Sequence, residues 1–200
     1  MVVMKILKRA RNNSGQALIE AALVLPLIML LVLNIVNFGY FFVVALNLAA
    51  SPRSGVEYSI LGFETPGSLS LPSAGPPSTT NTISHLSQQD LTGALSSPTG
   101  ATIQVCSFTV GVSGTGAGQK TQCVSCTGST CGTAGTGSPA PAADPEAPTF
   151  YLNRVDVDYT FSPPIPGTPF GLALLPLSVC SASGGNVTCR FHRQVSMRVM

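Results

Sequence analysis

From Ala21 to Ala50 the chain carries no Asp, Glu, Lys or Arg, and most positions are Ala, Val, Leu, Ile, Met or Phe. A helix over this stretch is roughly 45 Å long at about 1.5 Å per residue. A bilayer core needs only about 20 apolar residues. The pattern therefore predicts a membrane-crossing helix over 16–50 that projects beyond the lipid. Pro26 removes one helical hydrogen bond and is expected to bend it. Asn34, Asn37, Tyr40 and Asn47 interrupt the second half. At 100° per residue they fall within an arc of about 140°. Such a stripe predicts helix packing through Pro26, Asn34 and Asn37, because amides in lipid seek partners. The alternative is that these residues lie past the membrane and line the docking face of the outer domain. Ser51-Pro52 is expected to end or kink the helix, with Arg53–Leu61 adding a turn or two, supported by Arg53 and Glu57 at i, i+4.

The remaining pattern is shorter in period and broken by loops. Residues 62–81 are rich in Gly, Pro, Ser and Thr and read as a linker. Thr82–Ser96 places Ile83, Leu86, Leu91 and Leu95 near helical spacing, which predicts a short amphipathic helix. Ala101–Val112 alternates and predicts a strand. Residues 113–149 are a low-complexity insertion, read as an exposed excursion. Phe150–Phe161 alternates again, with Val155, Val157, Tyr159 and Phe161 on one face and Asp156 and Asp158 facing water. Residues 162–178 read as an irregular crossover. Leu177–Ala182 and Val187–Met200 complete the pattern, with a final strand. The expected fold class is α+β: a long N-terminal transmembrane helix, then a small disulfide-stapled antiparallel sheet of three or four strands with long Gly/Ser/Thr/Pro-rich loops. The domains are a basic cytoplasmic leader at 1–15, a transmembrane and assembly helix at 16–50, and an extracytoplasmic α+β domain at 51–200.

Charge sets the orientation. Lys5, Lys8, Arg9 and Arg11 hold four of the ten basic residues and precede the span. Basic residues close to a span favour the cytoplasmic side, so the N-terminus is expected inside and 51–200 outside. A cleavable secretory signal would have an apolar core of about 7–15 residues and a small-x-small cut site, and Leu48-Ala49-Ala50 fits that poorly. The rest of the chain is slightly acidic, which argues against a nucleic-acid partner.

All six cysteines fall on the outer side. An even count in an exported region predicts disulfides. Cys180 and Cys189 enclose SASGGNVT, a hairpin-like loop, and are expected to pair. Cys106, Cys123, Cys126 and Cys131 would form the other two bridges, with pairing open. Cys123-x-x-Cys126 also fits a zinc or redox motif. No His lies nearby and no strand–CxxC–helix context is present, so neither a metal nor a cofactor is expected. His85 and His192 have no nucleophile elbow, and the glycines of 111–118 form neither a P-loop nor a dinucleotide fingerprint. The chain is not expected to be an enzyme.

Glu20 interrupts the apolar flank, between Ile19 and Ala21. A carboxylate costs a few kcal/mol at the bilayer centre and less near the interface. One reading puts it in the headgroups as a first-turn acid favoured by the helix dipole; the other gives it a partner. A basic leader, Gly15, four residues, Glu20 and a long apolar run resemble the processing site of type IV prepilin-like proteins. That resemblance implies a prepilin peptidase cutting between Gly15 and Gln16. Glu20 would then register the subunit by pairing with the new terminal amine of a neighbour, two charges tolerable in lipid as a pair.

The stretch SGQALIEAALVLPLIMLLVLNIVNFGYFF more closely resembles the start of TadE-like proteins, minor pseudopilins of the Tad/Flp tight-adherence pilus system. The matching residues are Gly15, Ala17, Ile19, Glu20, Leu25-Pro26 and Phe38–Phe42. Ala49–Ile60 is similar to the segment that follows, with weaker echoes at 155–166 and 194–199. The Ser/Thr/Gly/Cys-rich middle departs from a typical small member. The resemblance implies a non-catalytic, single-pass protein of the bacterial inner (cytoplasmic) membrane. It would help to assemble a Tad/Flp pilus or related export filament, with other pilin or pseudopilin subunits and the Tad secretion machinery as partners. The rival reading is a permanently anchored extracytoplasmic binding or adhesion module, with its loops at 113–149 touching a surface or ligand.

Overall fold

The structure, a computed structural model, describes residues 2–61, 73–95, 97–107, 122–135, 137–138, 151–165, 180–183 and 186–199. Most of the linker at 62–81, much of the insertion at 113–149 and the crossover from 166 onward lie outside the described residues. The chain divides into two compact units. One comprises Met1–Tyr40 and Ser162–Val187, the other Phe41–Phe161 and Thr188–Met200.

A single helix, α1, runs from Val2 to Leu61, 60 residues without interruption. It takes in the basic leader and passes through both Pro26 and Ser51-Pro52. The expected end or kink at Pro52 is therefore not a helix end. A proline inside a helix costs about 3 kcal/mol. Beyond it, α1 buries Val56 completely and half-buries Tyr58 and Ile60. Full burial of one aliphatic side chain is worth about 1.5–3 kcal/mol, so the tertiary gain offsets the lost bond.

In the first unit, Leu18, Ile19, Leu23, Leu25, Leu27, Ile28 and Met29 are all exposed on α1. Asn37 is buried within this part of α1. Its amide brackets the backbone of Ile165, donating from Nδ2 to the carbonyl at 3.0 Å and accepting the Ile165 N–H on Oδ1 at 3.1 Å.

The second unit has a core. The face of α1 formed by Val44, Leu48, Ser51, Gly55, Val56 and Ser59 is buried. Helix α2 spans Ile83–Gln89, where Thr82–Ser96 was expected. Thr82 caps it, its hydroxyl accepting from His85 N at 3.1 Å. The chain then turns, and Leu91 and Leu95 are buried from that turn rather than from a helix. Small residues let α1 and α2 meet closely. Ser51 Oγ donates to Ser87 O at 2.6 Å, and a Cβ on Gly55 would overlap Ser87 Oγ.

The strands form one antiparallel sheet in the order β3-β2-β1-β4-β6-β5. They are β1 Thr102–Ser107, β2 Gln122–Thr127, β3 Thr130–Cys131, β4 Tyr151–Phe161, β5 Cys180–Ser183 and β6 Asn186–Val199. β2 and β3 were not expected; they lie inside the stretch read as an exposed excursion. Cys106 faces Cys123 across β1 and β2, and Cys126 faces Cys131 across β2 and β3. Both register pairs are disulfides, so the pairing left open by the sequence is cross-strand. Cys180 and Cys189 are disulfide-bonded too.

The apolar face of the sheet carries Ile103, Val105, Val155, Val157, Tyr159, Phe161 and Phe191, all buried. Phe41 of α1 packs on it, its ring centroid 5.7 Å from Phe161 and 5.1 Å from Phe191. Asn153 Nδ2 donates to Ser59 Oγ at 3.2 Å and so ties β4 to the end of α1.

Candidate functional site: the exposed helix and the polar sheet face

Two regions carry candidate chemistry. On α1, Gly15, Gln16, Glu20 and Pro26 are all exposed. Gln16 Nε2 donates to Glu20 Oε1 at 3.3 Å, one helical turn away. Glu20 makes no salt bridge among the described residues. Gly15–Leu61 is long and apolar enough to cross a membrane, and its most apolar window is wholly unburied. The sequence-predicted stripe divides. Asn34 and Asn47 each turn back on the helix, donating to Leu30 O at 2.9 Å and Val43 O at 2.8 Å. Asn37 instead reaches across to Ile165, a segment distant in sequence.

The second region lies on the polar face of the sheet. Asp156 was expected to face water, yet it is 3% exposed. Its Oδ2 accepts from Arg154 Nε at 2.7 Å and Gln104 Nε2 at 3.1 Å. Its Oδ1 lies 3.2 Å from His192 Nε2. Gln104 Oε1 in turn accepts from Ser125 Oγ at 3.3 Å and from the backbone N–H of Ser138 at 2.8 Å. The chain after β3 returns to this network at Gln104. Gly135 bridges back to Cys123, and Gly137, at φ +85°, lies against Cys123 and Gln104 where a side chain would clash. Glycine reaches that conformation at no steric cost. The strand pattern marked these positions as polar; it did not reveal that they bond to one another across the sheet.

Asp158 is more open. Arg190 grips it through Nε at 3.0 Å and Nη2 at 2.6 Å. That hydrogen bond first, and the carboxylate charge second, hold the Arg190 guanidinium above its ordinary pKa. Asp156, Asp158, Gln104, Thr160, Arg190 and His192 line a groove of about 480 Å³. No group of three or more His, Cys, Asp or Glu that could hold a metal occurs among the described residues.

These parts define the class: a disulfide-bonded α+β protein whose N-terminal helix is long and apolar enough to cross a membrane. Residues 15–55 match the family model of TadE-like proteins. The match starts at the glycine of the expected processing motif and ends at Gly55, where α1 touches α2, in agreement with the resemblance read from those residues. The matched stretch, 41 of the 200 residues, lies wholly on α1. No curated protein and no solved structure matches the chain.

Proposed function

We propose that the chain is a TadE-like minor pseudopilin that takes part in assembling a Tad/Flp pilus or a related export filament. The observation that carries this reading is the family match over Gly15–Gly55, laid on a helix whose apolar surface is exposed and interrupted at its start by Glu20 alone. The peptide between Gly15 and Gln16 is the cut site for a prepilin peptidase. Glu20 then pairs with the terminal amine of a neighbouring subunit, replacing the weak contact to Gln16. The basic leader stays in the cytoplasm and the sheet domain lies outside the inner membrane. Asn37 stands about 24 Å along the helix from Ala21, so the outer lipid boundary falls close to the level of its contact with Ile165.

The intact mass of the chain recovered from cells containing the peptidase tests the reading. A start at Gln16 is expected. A start at Met1, with assembly unaffected by Glu20→Ala, overturns it.

A further inference from the structure

The groove on the polar face of the sheet has no part in helix assembly, and it is a built site. Its volume of about 480 Å³ falls within the roughly 300–1,000 Å³ of small-molecule sites. Thr102, Asp158 and His192 face one another in register across β1, β4 and β6, about 4.8 Å apart from strand to strand. Thr160 and Arg190, paired across β4 and β6, flank this row. Beside it on the same face the buried Arg154–Asp156–Gln104 network holds the imidazole of His192 through Asp156.

The lining decides the ligand class. The charges cancel locally: Arg190 holds Asp158, and Arg154 holds Asp156. A phosphate or a metal ion therefore meets no surplus charge. The described lining residues are Gly, Thr, Gln, Ser, Asp, Arg and His, without a large apolar side chain, so the groove favours a polar ligand over an apolar one. What the groove offers is closely spaced donors and acceptors on a rigid sheet. Charged members of such a set make the stronger hydrogen bonds, and they do so with neutral hydroxyls as well as with ions.

We propose that this groove binds a neutral carbohydrate, with Asp158 accepting from sugar hydroxyls, Arg190 donating to sugar oxygens, and His192, whose Nε2–H is committed to Asp156, accepting from a sugar hydroxyl on Nδ1. Asp156 is a positioning residue that fixes His192. The inference does not depend on cleavage after Gly15 and stands apart from the pseudopilin reading.

The test uses the full chain in a detergent without a sugar headgroup. Saturation-transfer NMR is recorded with methyl glucoside, methyl galactoside, methyl mannoside, methyl N-acetylglucosaminide and linear tetrasaccharides of each sugar. At least one is expected to receive saturation. Its affinity should fall about tenfold or more in Asp158→Asn, the loss expected for a hydrogen bond to a charged group. Glu57→Gln, outside the groove, should leave it unchanged. Tighter binding of a tetrasaccharide than of its monomer would mark a polymer as the source; equal binding would mark a free sugar. Arg190→Gln, an exposed position, repeats the test should Asp158→Asn fail to fold. Absence of saturation with every sugar, undiminished binding in both variants, or displacement by inorganic phosphate would each overturn the proposal.

Discussion

Asn37 and Ile165 exchange two hydrogen bonds, at 3.0 and 3.1 Å, with the asparagine fully buried. Ile165 sits in the run Pro163-Pro164-Ile165-Pro166 and owns the one backbone N–H there. A side-chain amide carries a donor and an acceptor side by side and so can serve both its N–H and its C=O. An amide left unpaired away from water costs about 1–3 kcal/mol, so the pairing removes a penalty from a helix that is otherwise apolar. Replacing Asn37 with Ala should free the Ile165 amide. Hydrogen exchange at Ile165 is expected to rise about tenfold or more, with exchange at Val155 unchanged. Equal exchange in both proteins would show that the bracket does not hold.

Gly55 predicts a packing defect. Its missing side chain lets Ser87 of α2 approach α1, and Ser51 Oγ anchors the same crossing. Forcing one extra carbon into a packed contact costs about 1–3 kcal/mol. Gly55→Ala should therefore lower the melting temperature, even though alanine is the better helix former by about 1 kcal/mol. Arg53→Ala, exposed and joined to Glu57 one turn away, should change little. A Gly55→Ala variant that melts higher than the parent would mean that propensity outweighs the crossing.

The two ion pairs of the polar face should respond differently. The Arg154 and Asp156 side chains are 5% and 4% exposed. Breaking a buried pair from one side costs about 3–5 kcal/mol, because the other charge stays buried. Asp156→Ala is expected to destabilise strongly. Asp158→Asn should leave thermal stability nearly unchanged, since Arg190 is open to solvent and exposed pairs contribute little. The sign for pH follows from the direction. Asp158 raises the Arg190 pKa in the folded state, so the linkage is complete below the unfolded guanidinium pKa. It is lost only as pH rises through the folded value, in strong alkali. Thermal melts across the neutral range should show no contribution from Arg190.

Ser84 offers a gain. Its hydroxyl is buried without a hydrogen-bond partner among the described residues, and an unpaired buried hydroxyl costs about 1–3 kcal/mol. Ser84→Ala removes the group with little change of shape and should raise the melting temperature by a few degrees. A fall in melting temperature would point to a water held at that hydroxyl.

The hydrophobic pattern carried the elements whose burial is one-sided and long. The apolar run of α1 and the alternation of Val155, Val157, Tyr159 and Phe161 on β4 both appear where the pattern put them. It failed where tertiary contacts override local preference. Pro52 reads as a stop, but Val56 and Ser59 find partners beyond it. Gln122–Thr127 is too short and too rich in small residues to stand out as a strand; its register to β1 is closed by Cys106 and Cys123. Asp156 reads as solvated because strand alternation cannot report that Arg154, Gln104 and His192 close around it. The groove was illegible for the same reason. Its polar positions are visible on each strand, while the pairing that aligns Thr102, Asp158 and His192 is a property of register.

The cross-strand disulfides give the last prediction. In the chain-entropy picture, stabilisation grows with the length of loop that the bridge closes. Cys106–Cys123 spans a sequence separation of 17, and Cys126–Cys131 only 5. Those lengths correspond to about 3 and about 2 kcal/mol. Position works in the same direction. Cys106 and Cys123 are both buried, in register between two six-residue strands, whereas Cys131 is exposed on a two-residue edge strand. Replacing Cys106 and Cys123 together with Ala should lower the denaturation midpoint more than replacing Cys126 and Cys131. A peptide map under non-reducing conditions should recover both bridges from the parent chain. An equal loss in the two variants would show that strand pairing, not loop closure, sets the stability of this edge of the sheet.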